Sequence, residues 1–196
     1  MALQQWITHG TKPPPSLYST LAHGSLVPVS QINIPYIPAK NFTLAGLYAQ
    51  RFHLDRGPDF DERDVSGVMD EPPVAGKGYA ALAPQVDPVD GNDIDGLRNT
   101  NMQVPLGTYT GWNIRKAGFS EGDSCDLTGA FTPFFKTKAD RDAVGDPRPS
   151  LAERYPTHAD YVTKVTKAAN LLVGQRLLLQ QDADLIISQA NAAAVP

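Results

Sequence analysis

The sequence is poor in three features that would narrow its class. It contains one cysteine, Cys125, among 196 residues, so it can form neither an internal disulfide framework nor a metal site built from several thiolates. Charged residues make up 19 % of the chain, with a formal net charge of −4. Basic and acidic residues are interspersed, so we expect no nucleic-acid partner. No run approaches the roughly 20 apolar residues that a membrane helix needs, and the first ten residues lack the pattern of a secretory signal. We therefore expect no membrane partner.

Proline and glycine are present in excess. The chain holds 17 prolines and 16 glycines in 196 residues, roughly one residue in six, against about 12 % on average. Apolar and aromatic residues are nevertheless spread along the whole length, so the excess indicates long ordered loops rather than disorder. The length fits one domain, or one domain with a small appendage.

Three regions of different character follow one another along the chain. Residues 1–10 have a helical pattern, residues 11–149 form a Pro- and Gly-rich arm with a few short strands, and residues 150–196 form a helical segment. The predicted fold class is therefore α+β and loop-rich, with the regular helices at the two ends.

Helix signals are confined to these two ends. The pattern predicts a helix over residues 2–9, which Gly10 is placed to end. Ser150 and Thr157 each open a capping pattern that begins a C-terminal helix. Apolar residues at helical spacing mark the apolar faces: Leu3, Trp6 and Ile7 in the first helix, Tyr161, Val165, Ala168 and Leu172 after Thr157 with Leu179 further on, and Ile186, Ile187 and Ala190 in a last helix with Asp182 in its first turn. We expect the apolar face of the first helix to be uncovered in this chain, so the chain should associate or aggregate.

Alternating apolar residues predict strands in the middle of the chain, over residues 48–54, 79–86 and 104–115. The last of these, VPLGTYTGWNIR, alternates strictly along its whole length, as an extended backbone requires. Its glycines indicate bends or close backbone approach. From there to about residue 149 the sequence predicts a loop.

Residues 118–122, GFSEG, match the G-x-S-x-G pattern around the nucleophile of serine hydrolases. With Ser120 as the nucleophile, Asp140 or Asp142 and then His158 follow in the chain order of that class. The flanking residues predict neither the buried strand before the serine nor the helix after it that this elbow needs. The surrounding sequence therefore favours a surface turn over a catalytic elbow.

The stretch DPVDGNDIDG carries four carboxylates, those of Asp87, Asp90, Asp93 and Asp95. Carboxylates are the ligands that hard cations such as Ca²⁺ prefer. The spacing does not fit a calcium-binding EF-hand loop, because Ile94 occupies the fifth position counted from Asp90 and no glutamate closes the pattern. Asp–Gly and Asn–Asp pairs are also typical of tight turns. We favour a turn, and we expect neither a metal nor a cofactor.

The other reactive side chains show no catalytic pairing. Four histidines lie far apart in sequence without metal-ligand spacing: His9, His23, His53 and His158. Acidic neighbours disfavour a thiolate at Cys125, so we expect an inert cysteine. Arg148, within DPRPS, can pair with a carboxylate, although the prolines beside it mainly stiffen the approach to the next helix.

Several segments and the closing helices follow one another in a recognisable order. The segments are WITHGTKPPPSLYSTLAHGSLVP, FHLDRGPDF, PQVDPVDGNDIDGLR, VPLGTYTGWNIR and CDLTGAFTPFFKTKADRDAVGDPRPSLAERY. In this order they resemble the C-terminal part of large bacterial alpha/beta hydrolase domain proteins, an esterase family. The resemblance covers nearly the whole chain, and TYTGWN followed by DPRPSLAERY is its specific part. Gly107 departs from the family pattern, which has alanine in VPLATYTGW.

The resemblance implies that residues 1–10 are the end of a hydrolase-domain helix closed by a W-x-x-x-G pattern. In such proteins the nucleophilic serine and the histidine precede this helix, so the triad would lie outside this chain. Residues 118–122 would then have no catalytic role. A hydrolase fold also needs several buried strands before its serine, and residues 1–117 offer two or three weak ones.

The expected function is therefore the C-terminal portion of a serine ester hydrolase, which covers the catalytic domain and has no turnover of its own. Its expected partners are the upstream hydrolase domain or a second copy of the chain, and the full-length protein would act on a small ester. Tyr109, Trp112 and Asn113 are candidates to face a substrate pocket.

Two alternatives remain open at this point. The chain can be a stand-alone binding module that uses residues 87–95 for a cation or the Pro-rich arm for a protein partner. It can also be a small complete serine hydrolase built on Ser120 and His158.

Overall fold

A computed structural model describes residues 2–38, 51–125 and 128–196, which contain α-helices and short antiparallel strands. The elements, in order, are α1 (Ala2–His9), β1 (Leu26–Pro28), a 3₁₀ turn (Val29–Gln31), β2 (Phe52–Asp55), β3 (Val74–Gly78), β4 (Leu82–Pro84), α2 (Thr100–Gln103), β5 (Gly107–Thr110), β6 (Ala130–Pro133), α3 (Lys138–Ala143), α4 (Leu151–Arg154), α5 (His158–Gly174) and α6 (Gln180–Ala192). Within those ranges, no helix has the length and apolar character required to cross a membrane.

The strands of the described residues pair into three antiparallel sheets of two strands each. Strand β1 pairs with β4, β2 with β3, and β5 with β6, the last in the register Gly107 to Pro133 and Thr110 to Ala130. The first two pairs join segments that are distant in sequence, so backbone hydrogen bonds hold the Pro-rich region to other parts of the chain. This arrangement confirms a loop-rich mixture of helices and short strands.

The strand predicted over residues 104–115 is much shorter than expected. Only Gly107–Thr110 form β5, because Val104 caps α2 by donating its backbone N–H to Thr100 O at 2.9 Å. At the other end, the Thr110 hydroxyl donates to Trp112 O at 2.6 Å and turns the chain away from the ladder. The strand predicted over 79–86 likewise shrinks to β4. Residues 48–50 of the remaining predicted strand lie outside the described residues.

The loop predicted up to residue 149 is wrong in two places. Strand β6 forms because β5 is present to pair with it, and this partner is not visible in the local pattern. Helix α3 begins with a capping box, in which Thr137 Oγ1 accepts from Asp140 N at 3.2 Å and Asp140 Oδ2 accepts from Thr137 N at 3.2 Å. The T-x-x-D pattern of residues 137–140 carries this signal, so the start of α3 could have been predicted from the sequence.

The predicted C-terminal helices are confirmed. Ser150 forms a capping box with Glu153 at the start of α4, and the Thr157 side chain caps α5. The predicted stripe from Tyr161 to Leu172 is buried in α5, whereas Leu179 lies at the N-cap of α6 and is 39 % exposed. Helices α5 and α6 pack against each other and contribute to the main core. This core consists of Val104, Tyr155, Tyr161, Val165, Ala168, Ala190 and Val195.

Helix α1 ends at Gly10 as predicted, with Gly10 at φ 68° and its N–H donating to Trp6 O at 3.0 Å. None of its residues is buried. Its polar side contacts the turn between α5 and α6, where Arg176 donates to Gln5 Oε1 at 3.2 Å and to Lys12 O at 3.0 Å. The apolar side of α1 is therefore left facing solvent.

Candidate functional site

An apolar cavity of about 310 Å³ lies between residues 29–34 of the Pro-rich arm, the β4 strand with the loop after it, and the end of β5. The arm supplies aliphatic side chains, β4 supplies Ala83 and Pro84, and the end of β5 supplies two aromatic residues. Its lining residues are Val29, Ile32, Ile34, Ala83, Pro84, Val86, Gly91, Asp93, Tyr109, Thr110, Gly111 and Trp112. Asp93 is the only aspartate or glutamate among them.

Backbone pairing fixes Asp93 at the cavity edge. Val86 and Asp93 form an antiparallel bridge, flanked by hydrogen bonds from Asp87 N to Asn92 O at 2.8 Å and from Ile94 N to Gln85 O at 3.1 Å. The loop that carries Asp93 is therefore a short, closed hairpin and not an open acidic loop.

The Asp93 carboxyl is half-buried, and burial raises its pKa above the ordinary value of 3.8. The positive charge of Arg98 acts in the opposite direction and offsets part of this shift. Arg98 does not line the cavity; one of its guanidinium nitrogens donates to Met102 O at 2.5 Å. Across the described ranges, no hydrogen bond acts on the pKa of this carboxyl. The carboxylate is thus a charge beside apolar walls with little compensation.

Tyr109 and Trp112 form the aromatic wall of the cavity. The Tyr109 ring also packs against Phe131 of β6, with ring centroids 4.8 Å apart. Partial burial raises the pKa of the Tyr109 hydroxyl, so it stays protonated at neutral pH. Asn113, the third pocket candidate from the sequence, is not among the lining residues; its side chain accepts from Ile114 N at 2.9 Å.

Hydrogen bonds of the Asn92 side chain hold the loop that carries Asp93 against β5. The side chain of Asn92, in a residue only 1 % exposed, donates to Gly107 O at 3.1 Å and accepts from Tyr109 N at 2.8 Å. The preceding Gly91 has φ +77°, and a Cβ there would lie 3.0 Å from Thr108 Cγ2. Residues 90–92, whose sequence DGN is typical of a turn, therefore also connect the loop that carries Asp93 to β5.

A buried ion pair supports β5 from its other face. Arg148 and Asp146 are each 2 % exposed, with Arg148 Nη2 2.7 Å from Asp146 Oδ2. Arg148 Nη1 also donates to Thr108 Oγ1 at 2.9 Å and to Thr132 O at 3.1 Å. The sequence indicated that Arg148 can pair with a carboxylate but not that the pair would be buried under β5 and β6.

Ser120 lies at an exposed position of a tight hairpin turn, with φ 56°. The turn is closed by the bridge between Ile114 and Ser124, and its backbone hydrogen bonds include Asp123 N to Ser120 O at 3.1 Å. Turns and bends follow Ser120 up to Cys125, where the described range ends, in place of a helix.

The proposed triad partners of Ser120 have other contacts. His158 begins α5, and its Nδ1 lies 2.9 Å from Val195 O. Asp140 belongs to the α3 capping box, and Asp142 pairs with Lys138. In the part of the chain that the structure describes, no hydrogen bond or ion pair joins Ser120, His158 and either aspartate.

The four aspartates of the DPVDGNDIDG stretch point to different partners. Asp87 Oδ1 accepts from Val89 N at 2.8 Å, Asp90 Oδ2 pairs with Arg154 at 3.1 Å, and Asp95 accepts a hydrogen bond from the Ser25 hydroxyl. Asp93 faces the cavity. Over the described ranges, no three His, Cys, Asp or Glu side chains gather as a metal site would require.

Comparison with known families assigns the chain to one of them. Residues 1–188 match the family model described as alpha/beta hydrolase domain. The chain belongs to this family. This membership confirms the hydrolase family expected from TYTGWN and DPRPSLAERY. No curated protein and no solved structure shows a significant match, so residue roles in this hydrolase-family chain rest on its own geometry.

Proposed function

We propose that this chain is the C-terminal portion of a bacterial serine carboxylic-ester hydrolase. In this role it covers or completes a catalytic domain and does not carry the triad itself. The observation that carries the proposal is the position of Ser120: a member of a hydrolase family has its one G-x-S-x-G sequence in an exposed hairpin turn.

The strand arrangement supports the same conclusion. A nucleophile elbow joins a buried strand of a hydrolase sheet to a helix and so exposes the serine above the sheet. The described strands form antiparallel pairs only, and the residues before Ser120 belong to an irregular hairpin. This geometry supplies neither the strand nor the helix dipole that would activate a serine.

The apolar side of α1 supports a covering role. Leu3, Trp6 and Ile7 are 64 %, 49 % and 75 % exposed, although they form the apolar stripe of an amphipathic helix. Such a stripe is normally buried against another element, and contiguous exposed apolar surface marks an interaction site. We assign the upstream hydrolase domain as the partner of this face, with self-association as its substitute when that domain is absent.

The cavity beside β5 completes the proposed role. Tyr109 and Trp112 would form part of the wall around the apolar portion of an ester substrate, while the serine, acid and histidine would come from the catalytic domain. The substrate pocket would then be shared between two parts of one protein.

A fluorophosphonate probe tests the absence of a catalytic serine without knowledge of the substrate, because it reacts covalently with activated serines. We expect no labelling of the purified chain by intact mass spectrometry, and the same result for the Ser120→Ala variant. Stoichiometric labelling that the Ser120→Ala variant abolishes would show that the chain has its own nucleophile and would overturn the proposal.

Sedimentation velocity tests the covering face. We expect the purified chain to associate with increasing concentration and the Ile7→Lys variant to associate less, because the charge interrupts the apolar stripe. Gln4→Lys places the same charge on an exposed polar position of α1 and serves as the control. If the chain remained a monodisperse monomer at all concentrations, the apolar side of α1 would no longer support a covering role.

A further inference from the structure

The cavity lined by Asp93, Tyr109 and Trp112 has the size of a small-molecule site. Its volume of about 310 Å³ lies at the lower end of the range of roughly 300–1,000 Å³ for ligand pockets. A site of this size admits one ring with a short side chain. The aliphatic residues of the arm and of the segment around β4 would contact an apolar body on two sides.

The Asp93 carboxylate indicates which polar group a ligand of this cavity would carry. Asp93 is half-buried, no hydrogen bond acts on its pKa within the described ranges, and the nearby Arg98 does not line the cavity. A carboxylate in this setting gains most from a ligand group that carries a positive charge and donates hydrogen bonds. The other titratable lining group, Tyr109, is neutral at the same pH.

The aromatic wall favours the same group. Trp and Tyr rings attract cations through their negative faces, and Tyr109 and Trp112 lie in the same cavity as the carboxylate. A carboxylate and aromatic rings around an apolar space form the combination that recognises ammonium groups.

We propose that this cavity binds a small molecule with an apolar or aromatic body and one primary ammonium group. This inference extends the proposed function and rests on it in one respect, namely that the bound molecule is part of an ester substrate. Binding itself concerns this chain alone and needs no turnover.

Isothermal titration calorimetry with three matched probes tests the ligand class. Benzylamine, benzyl alcohol and benzoate share one ring and differ in charge. We expect saturable binding of benzylamine at neutral pH, weaker binding of benzyl alcohol and weakest binding of benzoate. Binding of benzoate as tight as that of benzylamine, or no saturable binding of benzylamine up to its solubility limit, would overturn the proposal.

Two loop variants separate Asp93 from the general acidity of its loop. Asp93→Asn should weaken benzylamine binding about tenfold, as expected for the loss of a charge-assisted hydrogen bond, and should leave benzyl alcohol binding nearly unchanged. Asp87→Asn removes the same charge from the same loop outside the cavity and can still accept from Val89 N, so it should bind as the unmodified chain does. Equal affinities of the two variants for benzylamine would contradict the role of Asp93.

A third measurement needs no variant. Benzylamine affinity should fall as the pH is lowered through the raised pKa of Asp93, while benzyl alcohol affinity should not; parallel behaviour of the two probes would contradict the proposal. These outcomes are independent of the labelling experiment. A chain that binds benzylamine but reacts with the fluorophosphonate would overturn only the proposed function, and a chain that does neither would overturn only the ligand assignment.

Discussion

Replacement of Arg148 by methionine should remove about 3–5 kcal/mol from the free energy of unfolding, the usual cost of breaking a buried ion pair by deleting one partner. The methionine fills much of the space of the arginine stem, so lost packing adds little. What remains is the carboxylate of Asp146, which is 2 % exposed and loses three contacts from the Arg148 side chain at 2.7–3.2 Å. Thr132 O also loses its donor at 3.1 Å.

The expected loss is large relative to the total. A domain of this kind has a stability of about 5–15 kcal/mol, so the substitution should remove roughly a fifth of it or more. With about 2–4 °C per kcal/mol for a chain of this length, the melting temperature should fall by roughly 6–20 °C. Urea unfolding followed by far-UV circular dichroism measures both the midpoint and the slope.

Two further variants make the test specific. Asp146→Asn combined with Arg148→Met removes the stranded charge but keeps a side-chain acceptor for the backbone N–H of position 148, so the double variant should recover much of the loss. Lys138→Met breaks the exposed pair with Asp142, whose side chains are 63 % and 46 % exposed, and should cost less than about 1 kcal/mol. A loss below about 1 kcal/mol for the Arg148 single variant would refute the reasoning, as would a double variant no more stable than the single one.

Three smaller predictions concern other parts of the chain. Tyr155→Phe removes the hydroxyl that donates to Pro105 O at 2.8 Å and should cost about 1 kcal/mol in urea unfolding; an unchanged midpoint would contradict this. Asp93→Asn should raise the melting temperature at neutral pH, because a carboxyl whose pKa is raised in the folded state costs stability while ionised. The gain should vanish as the pH falls through that pKa, and a gain that grows on acidification would show the opposite sign. Gly107→Ala should destabilise by about 1–3 kcal/mol, because its Cβ would lie 2.5 Å from Thr132 O; wild-type stability would show that β5 and β6 can separate to admit alanine.

The parts of the fold that the sequence predicted correctly are those with local signals. Helix α1 with Gly10, the capping box at Ser150 and the buried stripe of α5 each depend on residues within one or two turns of one another. Such signals act through short-range hydrogen bonds and helical spacing, which are visible in a single sequence. Family membership was equally visible, through TYTGWN and DPRPSLAERY.

The errors lie where distant segments decide the structure. The alternation over residues 104–115 suggested a long strand, but only the four residues that meet β6 form a ladder. Strand β6 was not predicted for the same reason, because it forms only by pairing with β5. Strand length in this chain is therefore set by the partner available and not by the periodicity of one segment.

The candidate site was predictable only in part. Tyr109 and Trp112 were named as pocket residues, and both line the cavity. Asp93 could not be distinguished from Asp87, Asp90 and Asp95 by sequence, since all four lie in one turn-rich stretch. Its difference arises from burial beside residues of the arm and of β5, and these contacts span many positions in the chain.

The rate at which the purified chain hydrolyses an activated ester such as p-nitrophenyl acetate tests the central claim most directly. We predict that the unmodified chain and its Ser120→Ala and His158→Ala variants share the same rate, no higher than that of an unrelated protein at equal concentration. Saturable turnover by the unmodified chain that both substitutions abolish would contradict the claim.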